Sequence, residues 1–254
     1  MTTLPIALQL YTVRTNAVED LAGTLKKVAA IGYKAVELAG MYGHDVRELK
    51  TMLDDLGLKV IGSHTPRIDL ENKLPRVLEE NQILGNKYIV FPWLPEDQRK
   101  TAQDWIRLAE SINVIAAKCK EAGFQFCYHN HDFEFAKFDG QTAYDIMFSR
   151  FTPGLVHVEL DVYWTHHANV DTLAYIRRFA GQIPLVHLKD MTKTSPHTFA
   201  EIGEGLIDFK PIIEASLASG AQYFVVEQDK GDRPALESVE ISWRNLQHLQ
   251  STIG

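Results

Sequence analysis

Four residues able to bind a divalent cation each sit at the end of a short apolar run. His129 follows Phe126-Cys127-Tyr128, Asp161 follows Val158-Glu159-Leu160, His187 follows Leu185-Val186, and Glu227 follows Phe224-Val225-Val226. Two imidazoles and two carboxylates make a mixed nitrogen and oxygen set suited to Mn²⁺, Co²⁺, Zn²⁺ or Mg²⁺. Their spacing along the chain is not diagnostic; what unites them is that each falls where an extended segment should stop. The chemistry open to such a set is proton abstraction next to a carbonyl. The cation polarises the carbonyl and stabilises the enediolate, while Glu227 removes the proton and returns it or hands it on. Lys189 lies two residues after His187, hence on its face, and is placed to donate hydrogen bonds to the developing oxyanion. A hydroxyl β to the abstracted proton would let the same site expel water. His131 shares the face of His129, and Glu134 lies just beyond, so any of the three can complete the ligand set from this side.

The segments that must position these residues share a pattern. A helix-like stretch ends in glycine, an apolar run follows, and a polar residue closes it. Gly32, Gly57, Gly85, Gly123 and Gly220 mark five such junctions, where glycine supplies a left-handed helix cap. The runs after them are too short for helices and read as buried strands. In order, the strands are predicted at Ile6 to Tyr11, before Glu37, before His64, before Trp93, before His129, at Val156 to Asp161, at Ile183 to Asp190 and before Glu227. Helical stripes separate them: Val18, Leu21, Leu25 and Val28 behind a capping box at Asn16 and Glu19; Val46, Leu49, Leu53 and Leu56; Trp105, Leu108, Ile112, Ala116 and Cys119; a helix capped by Asp208; and Val239, Trp243, Leu246 and Leu249. Strict β/α alternation predicts an α/β fold, a (β/α)8 TIM barrel, as a single domain over residues 1–254 with its site at the carboxyl ends of the strands. Along Val156 to Asp161 the polar residues His157, Glu159 and Asp161 should face the barrel interior and Val156, Val158 and Leu160 the helices.

Composition sets the outer limits. The chain has 254 residues, near the roughly 250 usual for this architecture. It is 45% hydrophobic and 23% charged, as ordinary globular proteins are. No apolar stretch approaches the roughly 20 residues of a membrane span. Met1 to Tyr11 lacks the basic segment and cleavage site of a signal peptide and reads as a first strand. Cys119 and Cys127 make no disulfide framework, which suits a cytoplasmic protein. A net charge of −7 without a basic stripe argues against nucleic acid as a partner.

The series Gln9-Leu10-Tyr11, Val36-Glu37-Leu38, Gly62-Ser63-His64, Tyr128-His129-Asn130-His131, Glu159-Leu160-Asp161-Val162-Tyr163-Trp164, His187-Leu188-Lys189-Asp190, Gly203-Glu204-Gly205 and Val226-Glu227 resembles the xylose isomerase-like barrel superfamily of sugar isomerases, epimerases and inosose dehydratases. The resemblance implies a divalent metal held at the ends of strands five to eight by Glu, Asp, His and Glu in the ketose epimerases. Asp161, His187 and Glu227 match the last three. The fifth-strand position is His129 here, which removes one of the two carboxylates those epimerases are thought to use as paired bases but can bind the metal or, as a catalytic residue, shuttle a proton beside Glu227. The resemblance therefore implies a sugar isomerase or epimerase acting on a ketose or keto-sugar, with a dehydratase of an inosose or 3-keto-glycoside as the alternative. A sugar-binding barrel without turnover is a further alternative. Dimers or tetramers are common in the family, so a homo-oligomer is also implied.

Other residues complete the expected pocket. Tyr11, Trp93 and Trp164 would wall a sugar ring; Glu37, His64, His131 and Glu159 would meet its hydroxyls, with Glu159 also a partner for Lys189. Gly203-Glu204-Gly205 lies where barrels often bind phosphate, but its acidic centre points to an unphosphorylated sugar or polyol.

Overall fold

The computed structural model describes residues 4–253. Met1, Thr2 and Thr3, the start of the segment read as having no leader, lie outside them. Eight parallel strands close into a barrel: β1 (Ile6–Gln9), β2 (Ala35–Leu38), β3 (Lys59–His64), β4 (Tyr88–Phe91), β5 (Gln125–His129), β6 (Val156–Asp161), β7 (Leu185–Leu188) and β8 (Tyr223–Val226). Each pairs with its sequence neighbours, and β8 closes on β1 through Ile6 opposite Phe224 and Leu8 opposite Val226. Helices follow every strand, the principal ones being Leu21–Ile31, Val46–Asp55, Leu74–Leu84, Ala102–Glu121, Ala143–Phe148, Thr172–Arg178, Phe209–Ala218 and Ala235–Gln250. The alternation predicts this TIM barrel, and the structure has it. Among the described residues, no helix is long and apolar enough to cross a membrane.

Strand faces divide as period-two alternation requires. Val158 and Leu160 join the apolar layer under the helices, as do Val36, Val186 and Val226. A separate cluster, Ala7, Ala35, Ile61, Tyr88, Val90, Cys127, Leu185 and Val225, fills the barrel interior. Two residues further up these strands, toward the carboxyl end, the interior turns polar: Ala7 gives way to Gln9, Ala35 to Glu37, Cys127 to His129, Leu185 to His187 and Val225 to Glu227. Trp105, Leu108, Ile112, Ala116 and Cys119 are all buried on the Ala102–Glu121 helix, and Asp208 caps Phe209–Ala218 by accepting from Lys210 N. Both cysteines are buried and free.

Several boundaries differ from the sequence reading, each for a local reason. β1 stops at Gln9, and Leu10–Val13 turn into a 3-10 helix because the Gln9 side chain accepts from Tyr11 N at 3.0 Å. The first long helix is capped by Asp20, whose Oδ1 accepts from Gly23 N at 2.9 Å, and Asn16 lies inside a short preceding helix, Arg14–Glu19. Val18 sits on that short helix, 72% exposed, and is not part of the apolar stripe. β7 ends at Leu188, because Asp190 leaves the sheet to bind a neighbouring loop.

One irregularity aims a site residue. Val36 pairs with Val60, but the next residue, Glu37, pairs with Gly62, so β3 carries one extra residue at Ile61. A bulge of this kind reverses which side chains face inward beyond it. Ile61 and then His64 both point into the barrel as a result, which strict alternation from Ile61 would forbid.

Candidate metal centre

The upper interior gathers the polar side chains into one buried network. One ligand atom from each of His129, Asp161, His187 and Glu227 lies within 4.8 Å of the others, and all four side chains are buried. His187 Nδ1 is 2.8 Å from Glu227 Oε2, and His129 Nε2 is 3.6 Å from Asp161 Oδ2. The remaining ring nitrogens are held from behind. His129 Nδ1 meets Glu159 Oε2 at 2.8 Å, and His187 Nε2 meets Glu37 Oε2 at 2.8 Å. A carboxylate on the far nitrogen fixes the tautomer and rotation of a metal-binding histidine and strengthens its basicity. Asp161 Oδ2 is buried with no hydrogen-bond partner, although Lys189 Nζ is 3.2 Å away. Buried carboxylate oxygens are rarely left so. An unsatisfied oxygen facing two oriented imidazoles and a second carboxylate fits a divalent cation.

Placement of these side chains is local and specific. Asn130 follows β5 and reads the backbone of Asp161 in both directions: Oδ1 accepts from Asp161 N at 2.9 Å, and Nδ2 donates to Asp161 O at 3.3 Å. Its amide thus stands in for one more residue of β5–β6 ladder and fixes the height of Asp161. Glu37 is set by Gln9, whose Nε2 donates to Oε2 at 2.8 Å. Gly62 makes room for it, since a Cβ there would lie 2.4 Å from Glu37 Oε1.

Burial and pairing decide the charges. Burial pushes the His129 imidazole down to about 3, more than the Glu159 contact restores, so the ring is neutral and ready to ligate. Burial acts the same way on His187, but Glu159 and Glu37 outweigh it and raise that ring well above its ordinary value. Asp161 is raised to about 6 by burial against the pull of Lys189. Glu227 is likewise penalised by burial, but Lys189 and His187 prevail and hold it well below the usual range. Lys189 is 2% exposed and touches three carboxylates: Glu227 at 2.8 Å, Asp229 at 2.9 Å and Asp161 at 3.2 Å.

The other expected residues divide by location. Glu37, His64 and Glu159 belong to the buried network, His64 Nε2 lying 2.7 Å from Glu159 Oε2 and 3.3 Å from Glu37 Oε2. Glu159 partners the three histidines and not Lys189, contrary to the sequence reading, because it sits one step deeper than Asp161. His131 stands beside the network, its ring 5.1 Å from His129, stacked on Phe133 and tilted against Trp164, with Nδ1 buried and unpartnered. Trp164 Nε1 is also buried without a partner. Glu134 is not in the ligand group: Oε1 accepts from Tyr128 OH and Oε2 from His131 N, both at 2.8 Å. Tyr11 is 42% exposed under Arg14, and Trp93 is 51% exposed in an open groove with Pro66, Arg67 and Ile68, so neither walls the buried network. Gly203-Glu204-Gly205 gives its amides to the Asp190 carboxylate, with Gly203 N and Gly205 N both at 2.9 Å. Gln9, Asn130 and Asp229 carry weight that the sequence reading missed. Asp229 alone had a signal, two residues beyond Glu227.

Comparison with known proteins agrees with this fold. A family model described as "Xylose isomerase-like TIM barrel" matches residues 25–246. An inosose dehydratase of Geobacillus kaustophilus is 27% identical over 228 residues, spanning 74% of this chain and 73% of its own. A crystal structure of a sugar phosphate isomerase/epimerase from Parabacteroides distasonis has a TM-score of 0.81 at 25% identity, covering 97% of this chain and 94% of that one. The IolI protein, crystallised with a zinc atom, has a TM-score of 0.76 at 15% identity with 99% of each chain covered; at that identity the likeness is one of fold.

Proposed function

As the chain belongs to the xylose isomerase-like TIM barrel family, we propose that it is a metal-dependent lyase that removes water from a polyhydroxylated cyclic ketone of the inosose class. The observation that carries this reading is the pairing of one ligand group with one free proton acceptor. Asp161 belongs to the ligand group and its Oδ2 makes no hydrogen bond, and His131, its ring 5.1 Å from that of His129, has Nδ1 buried and unpartnered. Paired carboxylate bases, which two-sided epimerisation would use, are absent from this arrangement.

His129, Asp161, His187 and Glu227 would hold the ion, which supplies positive charge beside the substrate carbonyl oxygen and makes the adjacent C–H bond acidic. The zinc of the IolI neighbour supports a divalent metal of this kind. His131 does the proton work. Burial holds its ring well below the ordinary imidazole value, with His129 and Lys189 adding to the effect, so it is neutral, and its Nδ1 is the nitrogen left without a partner to receive a proton. Glu227, the base expected from sequence, is held ionised by Lys189 and His187, and both engage its Oε2 at 2.8 Å, so in this reading it serves as a ligand. The proton moves from carbon to His131, the C–H pair becomes the new C=C bond, the β C–O bond breaks, and the same proton leaves on the departing hydroxyl as water. Lys189, permanently charged between Asp161, Glu227 and Asp229, fixes the two ligand carboxylates in place. Trp164 offers its indole N–H to a substrate hydroxyl.

The name of the Geobacillus kaustophilus relative favours elimination. Isomerisation is the second reading, favoured by the Parabacteroides distasonis neighbour, and differs only in His131 returning the proton to the neighbouring carbon. Incubation with inososes and keto-sugars in deuterated water separates the two. Elimination produces an enone that absorbs in the ultraviolet; isomerisation produces deuterated ketose without it. Failure of every substrate to give either product, or turnover that survives chelation, would end this proposal.

A further inference from the structure

The loop after β2 holds a side chain that the mechanism does not use. Tyr42 has φ +50°, in the left-handed region, between Gly40 at +102° and Gly43 at +83°. His44 N donates to Met41 O at 3.0 Å, so Tyr42 and Gly43 are the central pair of a tight turn that fixes where the tyrosine stands. Its hydroxyl is buried and has no hydrogen-bond partner. The ring packs against the main apolar cluster, but among the described residues the buried hydroxyl has no partner to offset the cost of its burial.

Its position explains what would. The loop leaves the carboxyl end of β2, the strand that carries Glu37 of the buried network; burial pushes the Tyr42 hydroxyl up, with Arg14 opposing and Glu227 adding to the shift. Arg14 ties the end of β1 to the end of β8, its guanidinium donating to Tyr11 O and Asp229 O, each at 2.8 Å. Tyr42 therefore stands at the β8–β1–β2 side of the mouth. His131 and Trp164 follow β5 and β6, on the opposite side of the barrel. A ring lying over the ligand group would have the two aromatic walls on either side, each with a buried polar atom to satisfy.

We infer that Tyr42 is a substrate-binding residue, whose hydroxyl bonds a ring hydroxyl of the polyhydroxylated substrate from the side facing away from His131. This rests on the reading of the mouth as a polyol site. The bond would satisfy the tyrosine only when substrate is present, and a substrate lacking that hydroxyl would leave it orphaned, which is a basis for discrimination.

Tyr42→Phe tests this directly, with thermal unfolding, turnover and calorimetric binding of a panel of inositols and keto-inositols to both proteins. The variant should unfold at the same temperature as the parent or higher, since it loses only an unpaired polar atom. Its kcat/KM should fall about tenfold, one hydrogen bond's worth, chiefly through KM, and it should bind the panel correspondingly more weakly. A midpoint several degrees lower would show a structural hydroxyl and overturn the inference. Unchanged KM and binding would overturn it while leaving the polyol reading intact. If the parent protein binds nothing in the panel, the polyol reading itself falls and takes Tyr42 with it.

Discussion

Glu159 Oε2 lies 2.8 Å from His129 Nδ1, and this contact turns the opposite nitrogen of the ring toward Asp161. The fifth strand thus brings a nitrogen ligand that is already oriented from behind. Glu37 does the same for His187.

Removing that support should weaken the metal more than the fold. For Glu159→Gln, metal affinity should drop about 10- to 100-fold, the usual effect of losing a group that orients a ligand. Asp161→Asn should abolish stoichiometric binding. Competitive titration against a chelating dye measures both. Equal affinity in Glu159→Gln and the parent would mean that the carboxylate does not set the ring.

Metal affinity should rise with pH across and above neutrality. His187 is raised by Glu159 and Glu37 against its burial, so a proton competes for the ring to higher pH than usual. In the metal-free protein the same raised value stabilises the fold below the ordinary imidazole range and is lost as pH climbs through the folded value. Thermal midpoints with and without chelator should therefore diverge as pH increases. Parallel curves would contradict the assignment of His187 as a ligand.

Glu134 makes a separate pH prediction. Burial raises it from 4.5 to about 8, against hydrogen bonds from Tyr128 and His131 that favour the ionised form. The folded state binds this proton more tightly than the unfolded chain, so its contribution is complete below 4.5 and declines as pH rises to about 8. In Glu134→Gln, denaturant unfolding between pH 5 and pH 9 should show a smaller loss of stability than in the parent protein. An identical loss in both would refute it.

Gly62→Ala should be costly despite its small size. The added methyl would meet Glu37 Oε1 at 2.4 Å in a fully buried place. Overpacking of this kind costs about 1–3 kcal/mol, and pushing Glu37 aside would also release His187 Nε2. Denaturant unfolding and metal titration should both respond; a stable variant with full metal affinity would show that Glu37 has another resting place.

Asp190→Ala should loosen the loop that follows β7. The carboxylate accepts from Met191 N at 2.7 Å, Gly203 N and Gly205 N at 2.9 Å and Ile207 N at 3.1 Å. Removing it leaves several buried donors unpaired, a loss of about 3 kcal/mol. Limited proteolysis should then cut between Thr192 and Ile207. Resistance equal to the parent's would show that the loop is held by other contacts.

The alternation of Val156 to Asp161, the glycines that end five of the helices and the polar residue closing each apolar run make the barrel legible in the sequence, because strand and helix periods are local properties of the chain. The same periods place His129, Asp161, His187, Glu227 and Lys189 at one end of the interior. Distances between strands are not local. That His187 bridges Glu37 and Glu227, that Glu159 serves three histidines and leaves Lys189 to Asp229, and that His64 turns inward after an extra residue at Ile61 depend on closure of β8 against β1 and on the register of β2 with β3. Trp93 and Tyr11 show the converse: their type suits a sugar wall, but the turns after β4 and β1 carry them to the rim. Residue type and period determined the fold and the ring of candidates. Which nitrogen faces which oxygen was decided only when the strands closed, because hydrogen bonds across a barrel depend on register and stagger that no single segment encodes.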